Sequence, residues 1–300
     1  MQDERMVKAG SKPKLIIFGD ERRDFVAEAI EDFTKFAAGK VQILATRLSS
    51  PKSNCFRGDC VGDVVKDADF AIVFGGDGTI LSAARELSQT SVPVIGVNVG
   101  RLGFLAEFSI DDLKKLFDRV VTDDELIKER MMLRCTVTGQ RQEKLSSTAI
   151  NDVVITAGPD YRMVDLKITV GGQSLADCVS DGLIISTPTG STAYNLSAGG
   201  PILSANLSAI VITPICPHTF SFRPIVISAD SRIEIHPQRI NEGTTVTLDG
   251  QAFRSLKSGD VITVERHNGA FLVVNNPLRT QWDTLAGKLS WAEKPKYKRK

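Results

Sequence analysis

The sequence lacks any strong imbalance of charge: 37 Lys and Arg stand against 36 Asp and Glu, a formal net charge of +1. A protein that coats nucleic acid needs a concentrated basic face, so no nucleic-acid partner is expected. The one basic cluster, Lys294, Lys296, Lys298, Arg299 and Lys300, reads as a solvated tail. No apolar run approaches the ~20 residues needed to cross a bilayer, so no membrane association is expected. Met1–Lys14 is polar and charged, unlike a secretory leader, and the expected location is cytoplasmic. Cysteine is sparse and odd in number, at positions 55, 60, 135, 178 and 216. Cys55 and Cys60 have no second Cys/His pair to complete a zinc site, so reduced thiols are expected. Neither a G-x-x-x-x-G-K-[ST] loop nor a G-x-G-x-x-G fingerprint occurs, which removes the two commonest nucleotide-binding explanations. A nucleophile elbow is also missing: Gly190-Ser191-Thr192-Ala193-Tyr194 does not fit G-x-S-x-G. His218, in Pro214-Ile215-Cys216-Pro217-His218, reads as a buried, hydrogen-bonded structural residue.

What is present is a globular composition, 42% apolar and 24% charged over 300 residues, enough for about two domains. Residues 1–125 alternate strand and helix patterns. Leu15–Gly19 is a short apolar run. Phe25, Ala29, Ile30, Phe33 and Phe36 then recur at helical spacing, Val41–Ala45 reads as a strand, and Val61–Val65 is ambiguous. Phe70–Phe74 is a buried strand, Ile80–Ser88 a helix, Val92–Val97 a strand and Asp111–Val121 an amphipathic helix. Strand, turn, helix, strand in this order predicts a parallel, Rossmann-like α/β sheet. From residue 126 to 275 short strands dominate: 134–138, 150–156, 163–170, 183–186, 210–213, 225–228, 232–236, 244–248, 261–265 and 271–274. Gly171-Gly172, Ser258-Gly259-Asp260 and His267-Asn268-Gly269 read as the turns between some of them, and a mostly-β, sandwich-like domain is expected. Residues 276–300 are read as a C-terminal helix over Thr280–Leu289, able to pack back on the first domain, followed by the basic tail.

The chemistry-bearing residues cluster at strand ends. Gly75-Gly76-Asp77-Gly78-Thr79 lies between a buried strand and a helix, where glycines admit a phosphate and the helix N-terminus favours an anion. An aspartate there opposes simple anion binding and suits a base for a hydroxyl, or a carboxylate that meets phosphate only with Mg2+. It is equally the N-cap of a plain turn. Asn98-Val99-Gly100-Arg101-Leu102-Gly103-Phe104 ends the next strand, so the two clusters converge on one crevice; Phe104 either stacks on a base or fills the core. The stretch from Ser180 to Gly200 holds seven Ser or Thr and no charge after Asp181. Its hydroxyls suit sugar and amide recognition, or cap a loop. Asn151-Asp152 opens a strand, and Asp249-Gly250-Gln251 has the form of a hairpin turn.

In this order, the residues resemble the NAD kinase family. The matching motifs are Gly75–Thr79, Asn98–Phe104, Asn151-Asp152, Asp181–Gly200, Thr213–Pro224 (with Ser221-Phe222-Arg223-Pro224) and Asp249–Gln251, from about residue 68 to Leu289-Ser290-Trp291. The glycine turn is shared with diacylglycerol-type lipid kinases and phosphofructokinases, whereas the Asp181–Gly200 block is specific. The resemblance implies a kinase that phosphorylates the 2′-hydroxyl of the adenosine ribose of NAD with ATP and Mg2+ or another divalent cation, the metal held mainly through the ATP phosphates. It implies Asp77 as general base and Gly75, Gly76, Gly78 and Thr79 around the phosphates. Asp77, Gly78, Phe104, Asn151, Asp152, Arg162, Asp181, Thr192, Ala193, Tyr194, Ser197 and Gln251 would face NAD, with Phe104 beside the adenine. Some relatives carry Arg two positions before Asp181, where this chain has Val179. The family also implies a homodimer or homotetramer. A lipid kinase and a non-catalytic NAD(P)-binding regulator are the alternatives.

Overall fold

The computed structural model describes residues 11–48, 63–100, 103–159 and 163–289. Cys55, Cys60, Val61, Gly62, Arg162 and the terminal basic run lie outside the described residues. The first lobe contains β1 (Lys14–Gly19), α1 (Asp24–Ala37), β2 (Gln42–Leu48), α2 (Asp63–Lys66), β3 (Phe70–Phe74), α3 (Asp77–Leu87), β4 (Val94–Val97) and α4 (Ile110–Val120). Apolar residues run unbroken through β1 and β3 because both faces of the sheet are covered. Leu15, Ile17, Ile72 and Phe74 pack with α1 and α4, while Ile16, Phe18, Ala71 and Val73 pack with α3. α4 starts at a capping box, Ser109 Oγ accepting from the Asp112 N–H at 3.0 Å and the Asp112 carboxylate accepting from the Ser109 N–H.

The strand order β2-β1-β3-β4 is parallel throughout. Order reverses between β1 and β3, and a ligand crevice belongs beyond the carboxyl ends of the strands at that point.

The second lobe is mostly β: β5 (Ile127–Thr138), β6 (Lys144–Ala149), β7 (Asp152–Thr156), β8 (Val164–Val170), β9 (Gln173–Ser180), β10 (Gly182–Ser186), the short α5 (Tyr194–Ser197), β11 (Ala209–Ile215), β12 (Ile225–Ser228), β13 (Ile233–Arg239), β14 (Thr245–Leu248), β15 (Ala252–Ser255) and β16 (Val261–Val274), closed by α6 (Gln281–Leu289). One sheet, ordered β12-β11-β10-β7-β14-β15, packs on β5, β8, β13 and β16 through an apolar layer that includes Leu133, Ile155, Leu166, Ile185 and Ile235. This is a sandwich whose second sheet is not separate from the first lobe. β16 pairs antiparallel with β13 through Val264 to Ile262, and farther along pairs parallel with β4 at Val273↔Val94.

The sequence pattern splits β16 into 261–265 and 271–274 with a turn between them. In the structure it is one 14-residue strand, and His267-Asn268-Gly269 is a local irregularity where the pairing with β5 shifts between Arg266 and Ala270. β6, β9 and β15 are strands that the pattern did not announce.

Candidate active site

Gly75 closes β3 and Asp77 opens α3, so the glycine turn sits at the strand-order reversal. A Cβ on Gly75 would lie 2.5 Å from Thr79 Oγ1, whereas one on Gly76 would meet nothing within 4 Å. The first glycine therefore serves packing, and the second leaves open space in front of the helix N-terminus. A crevice of about 200 Å³ opens there, lined by Gly75, Gly76, Thr79, Asn98, Asp20 and Arg23. Asp20 and Arg23 come from the β1–α1 loop and were not among the expected site residues; the Gly19-Asp20 step at a strand end is the signal that marks them.

The Asp77 carboxylate is fixed by backbone. Oδ1 accepts the N–H groups of Leu105 (2.9 Å) and Ala106 (3.2 Å), and Oδ2 accepts that of Phe104 (2.9 Å). Gly103 makes this approach possible, since a Cβ there would collide with Asp77 Oδ1. A carboxylate has about four acceptor positions. Oδ1 is filled, and Oδ2 keeps one acceptor position beyond the Phe104 N–H. Lys288 Nζ, from α6, stands 3.7 Å from Oδ2 and 4.6 Å from the centre of the half-buried Phe104 ring.

The β14–β15 hairpin packs against the start of α3. Asp249 (φ +52°) and Gly250 (φ +66°) form the two left-handed positions of its turn. The buried Asp249 carboxylate accepts from the backbone of Ile150 (3.1 Å), Asn151 (2.7 Å) and Asp152 (3.2 Å), fixing the start of β7. Burial pushes the Asp249 carboxyl up, opposed by these N–H groups. Asp152 is pushed up to about 7, by burial first and by the neighbouring Asp249 charge second. Gln251 ties the lobes together. Its Nε2 donates to the Gly78 carbonyl (2.7 Å), and its Oε1 accepts from Arg85 Nη2 of α3 (2.5 Å).

The Ser/Thr-rich segment is more inward than its composition suggests. Thr187 Oγ1 donates to the Ile150 carbonyl (2.6 Å), Ser191 Oγ to that of Pro188 (2.6 Å), and Asn195 Oδ1 accepts from Thr213 (2.6 Å). Gly190 rests on the Asn151 backbone, with no room for a Cβ. Ser186, Thr187, Ser191 and Asn195 thus build the loop, while Thr192, Ala193, Tyr194 and Ser197 are left partly or fully exposed. One further expectation needs correcting. His218 is exposed, because it follows Pro217 in the β11–β12 connection and only its backbone N–H is held, by Val179. Asp181 is also exposed and stands at the far end of β7 and β10 from Asp152: Gly182 pairs with Thr156, and Ser186 with Asp152. Five residues of strand separate them by roughly 16 Å. The structure therefore unites Gly75–Thr79, Phe104, Asn151-Asp152, Gly190 and Gln251, and leaves Asp181 apart.

Residues 25–126 match the family model of the ATP-NAD kinase N-terminal domain, and residues 150–276 that of the ATP-NAD kinase C-terminal domain. The chain is 43% identical over 232 residues to the NAD kinase of Geotalea daltonii, covering 77% of this chain and 82% of that protein. It is 44% identical over 227 residues to the NAD kinase of Geobacter metallireducens, covering 76% and 80%. Among solved structures, yeast NADH kinase complexed with NADH superimposes with a TM-score of 0.81 at 23% identity, over 97% of this chain and 91% of that one. An NAD kinase from Archaeoglobus fulgidus in complex with ATP gives 0.70 at 24% identity, over 93% and 98%. An α/β lobe and a β lobe enclosing a glycine turn with a fixed carboxylate define a phosphotransferase. More narrowly, the chain belongs to the NAD kinase family.

Proposed function

We propose that this protein transfers the γ-phosphoryl group of ATP to the 2′-hydroxyl of the adenosine ribose of NAD, giving NADP and ADP. The observation that carries this reading is Asp77: a carboxylate held by three N–H groups at the mouth of the glycine turn, with one acceptor position open. A ribose hydroxyl is a weak nucleophile, and a carboxylate that takes its proton contributes about 10²–10⁴-fold. The hydroxyl proton passes to Asp77, the 2′-oxygen–phosphorus bond forms, and the bond to the β–γ bridging oxygen breaks with its electron pair leaving on ADP.

Gly75, Gly76, Gly78 and Thr79 are assigned to the phosphates, on the support of the open space at Gly76 and the α3 N-terminus. Arg23 borders the same crevice. Phe104, Asn151, Asp152, Thr192, Ala193, Tyr194, Ser197 and Gln251 are assigned to NAD, with the adenine against Phe104; Arg162 keeps the same assignment. Among the described residues no group of three or more His, Cys, Asp or Glu could cage a metal ion. A divalent cation that travels with ATP needs only one or two carboxylates; Asp20 borders the crevice, and Asp77 opens α3 two residues after Gly75. Bound there, Mg2+ supplies charge neutralisation for the phosphates.

The assembly is assigned as a homodimer or homotetramer. Asp181, exposed at the opposite end of β10 from the residues that pair with Asp152, is assigned to NAD bound by a neighbouring copy. Phe220, 97% exposed, is an aromatic that a subunit interface would cover. Cys135 and Cys178 are buried free thiols, in keeping with a cytoplasmic location, and no described helix is long and apolar enough to cross a membrane.

Purified protein with NAD, ATP and Mg2+, read through an NADP-specific dehydrogenase, tests the function. Metal-dependent NADP formation is expected, with kcat in Asp77→Asn lower by about 10²–10⁴-fold and KM for NAD little changed. Near-normal turnover in Asp77→Asn removes it as the base, and absence of NADP from the native protein removes the kinase reading.

A further inference from the structure

The chain has a phosphoryl-transfer crevice but no P-loop lysine, because no G-x-x-x-x-G-K-[ST] sequence exists in it. A transferring phosphoryl group nevertheless needs positive charge on its equatorial oxygens. α6 delivers a cation to Asp77, at the N-terminus of α3. Gln281 Nε2 holds the start of the helix to Ser204 Oγ (3.0 Å), and the buried Thr284 and Leu285 fix its inner face. Lys288 follows these residues by four and three positions, so it stands at the edge of the docked face, exposed along its stem with its ammonium turned toward the first lobe. Its ammonium stands 3.7 Å from Asp77 Oδ2, with its side chain about 29% exposed, and caps the Phe104 ring whose own N–H donates to that same oxygen.

Lys288 therefore stands beside the one acceptor position left open on Asp77. This is the position that the ribose hydroxyl takes if the proposed function holds, and the inference rests on that reading. We propose that Lys288 is a further catalytic residue. When the hydroxyl occupies Asp77 Oδ2, the ammonium turns from the carboxylate to the γ-phosphoryl oxygens and neutralises charge during transfer. The bonds made and broken are those of the reaction above, and the ammonium keeps its three protons throughout. α6 thus supplies from the end of the chain the charge that a P-loop lysine supplies from a strand–helix turn in other phosphotransferases.

Lys288→Met, Lys288→Gln, Lys288→Arg and Phe104→Leu in the full-length protein test this, by kcat, KM for NAD and for ATP, and melting temperature. Loss of one such electrostatic clamp lowers kcat by about 10²–10³-fold. Lys288→Met and Lys288→Gln are expected to show it, with melting temperature and KM for NAD nearly unchanged, and Lys288→Arg to recover at least about a tenth of native turnover. A kcat loss below about tenfold overturns the inference. So does a loss carried by KM alone, or a Phe104→Leu variant that reproduces the whole loss, since the lysine would then act only through the ring. Unfolding of both Lys288→Met and Lys288→Gln would make the residue structural and also overturn it. Native protein that makes no NADP takes the proposed function down as well, whereas an active native protein with an indifferent Lys288→Met removes this inference alone.

Discussion

Asp152 is a carboxyl group placed where water is largely excluded, beside a second buried carboxylate, and its pKa rises from 3.8 to about 7. The native state therefore binds a proton that the unfolded chain releases between about pH 4 and pH 7. Its contribution to stability is fully present below about pH 4 and is lost as pH rises through 7. Asp249 is shifted in the same direction. Thermal melts of the ligand-free protein from pH 5 to pH 8 should show a falling Tm, with a shallower slope in Asp152→Asn, which cannot titrate. Identical slopes for the two proteins would mean that residue 152 does not change its proton occupancy on folding. Asp77, by contrast, has its carboxylate matched by three backbone N–H donors.

At the scale of the element, the β14–β15 hairpin acts as a clamp. Removing the Asp249 carboxylate leaves the N–H groups of Ile150, Asn151 and Asp152 without their acceptor and sets a Cβ-bearing residue at φ +52° with no side-chain compensation. Each buried donor left unmatched costs about 1–3 kcal/mol, so Asp249→Ala should destabilise by about 3–5 kcal/mol in urea unfolding, together with weaker NAD binding. Asp249→Asn retains one carbonyl acceptor and tolerates the left-handed backbone, and should lose about half as much. A loss under about 1 kcal/mol in Asp249→Ala would show that β7 starts correctly without the clamp. This hairpin was legible in sequence as a turn, because Asp-Gly at two left-handed positions is a local property; its bond to β7, about 98 residues away, is not. The missed strands follow a rule. β6, β9 and β15 all lie at sheet edges, and edge strands carry polar, charged sequences such as KLSSTA and QSLADCVS that hide the apolar signal. By the same logic, β1 and β3 were unmistakable because both of their faces are covered. Lys288 was invisible for a further reason: its meaning depends on where α6 docks, which no local pattern encodes.

At the scale of the whole molecule, β16 belongs to both lobes, its first half pairing with β13 and its last residues with β4. Two lobes that share a strand, and that are tied again through Gln251 to Gly78, should unfold together. Calorimetry of the native protein should give a single transition, and two well-separated peaks would mean that the shared strand does not couple them. A fragment ending at residue 125 should fail to fold alone, since β4 would lose its neighbour.

That shared strand also orders events during synthesis. β4 is complete at residue 97, yet the strand that covers its open edge ends at residue 274. At about 5–20 residues per second, the ribosome needs roughly 10–35 s to make the intervening chain. For that interval the start of this edge, at Val94, lacks its partner, while Phe108 already bridges the edge at Val97; an unpaired strand edge is the kind of surface that recruits other chains. The Phe108 segment, made directly after β4, thus shields half of that edge until β16 arrives to cover the rest.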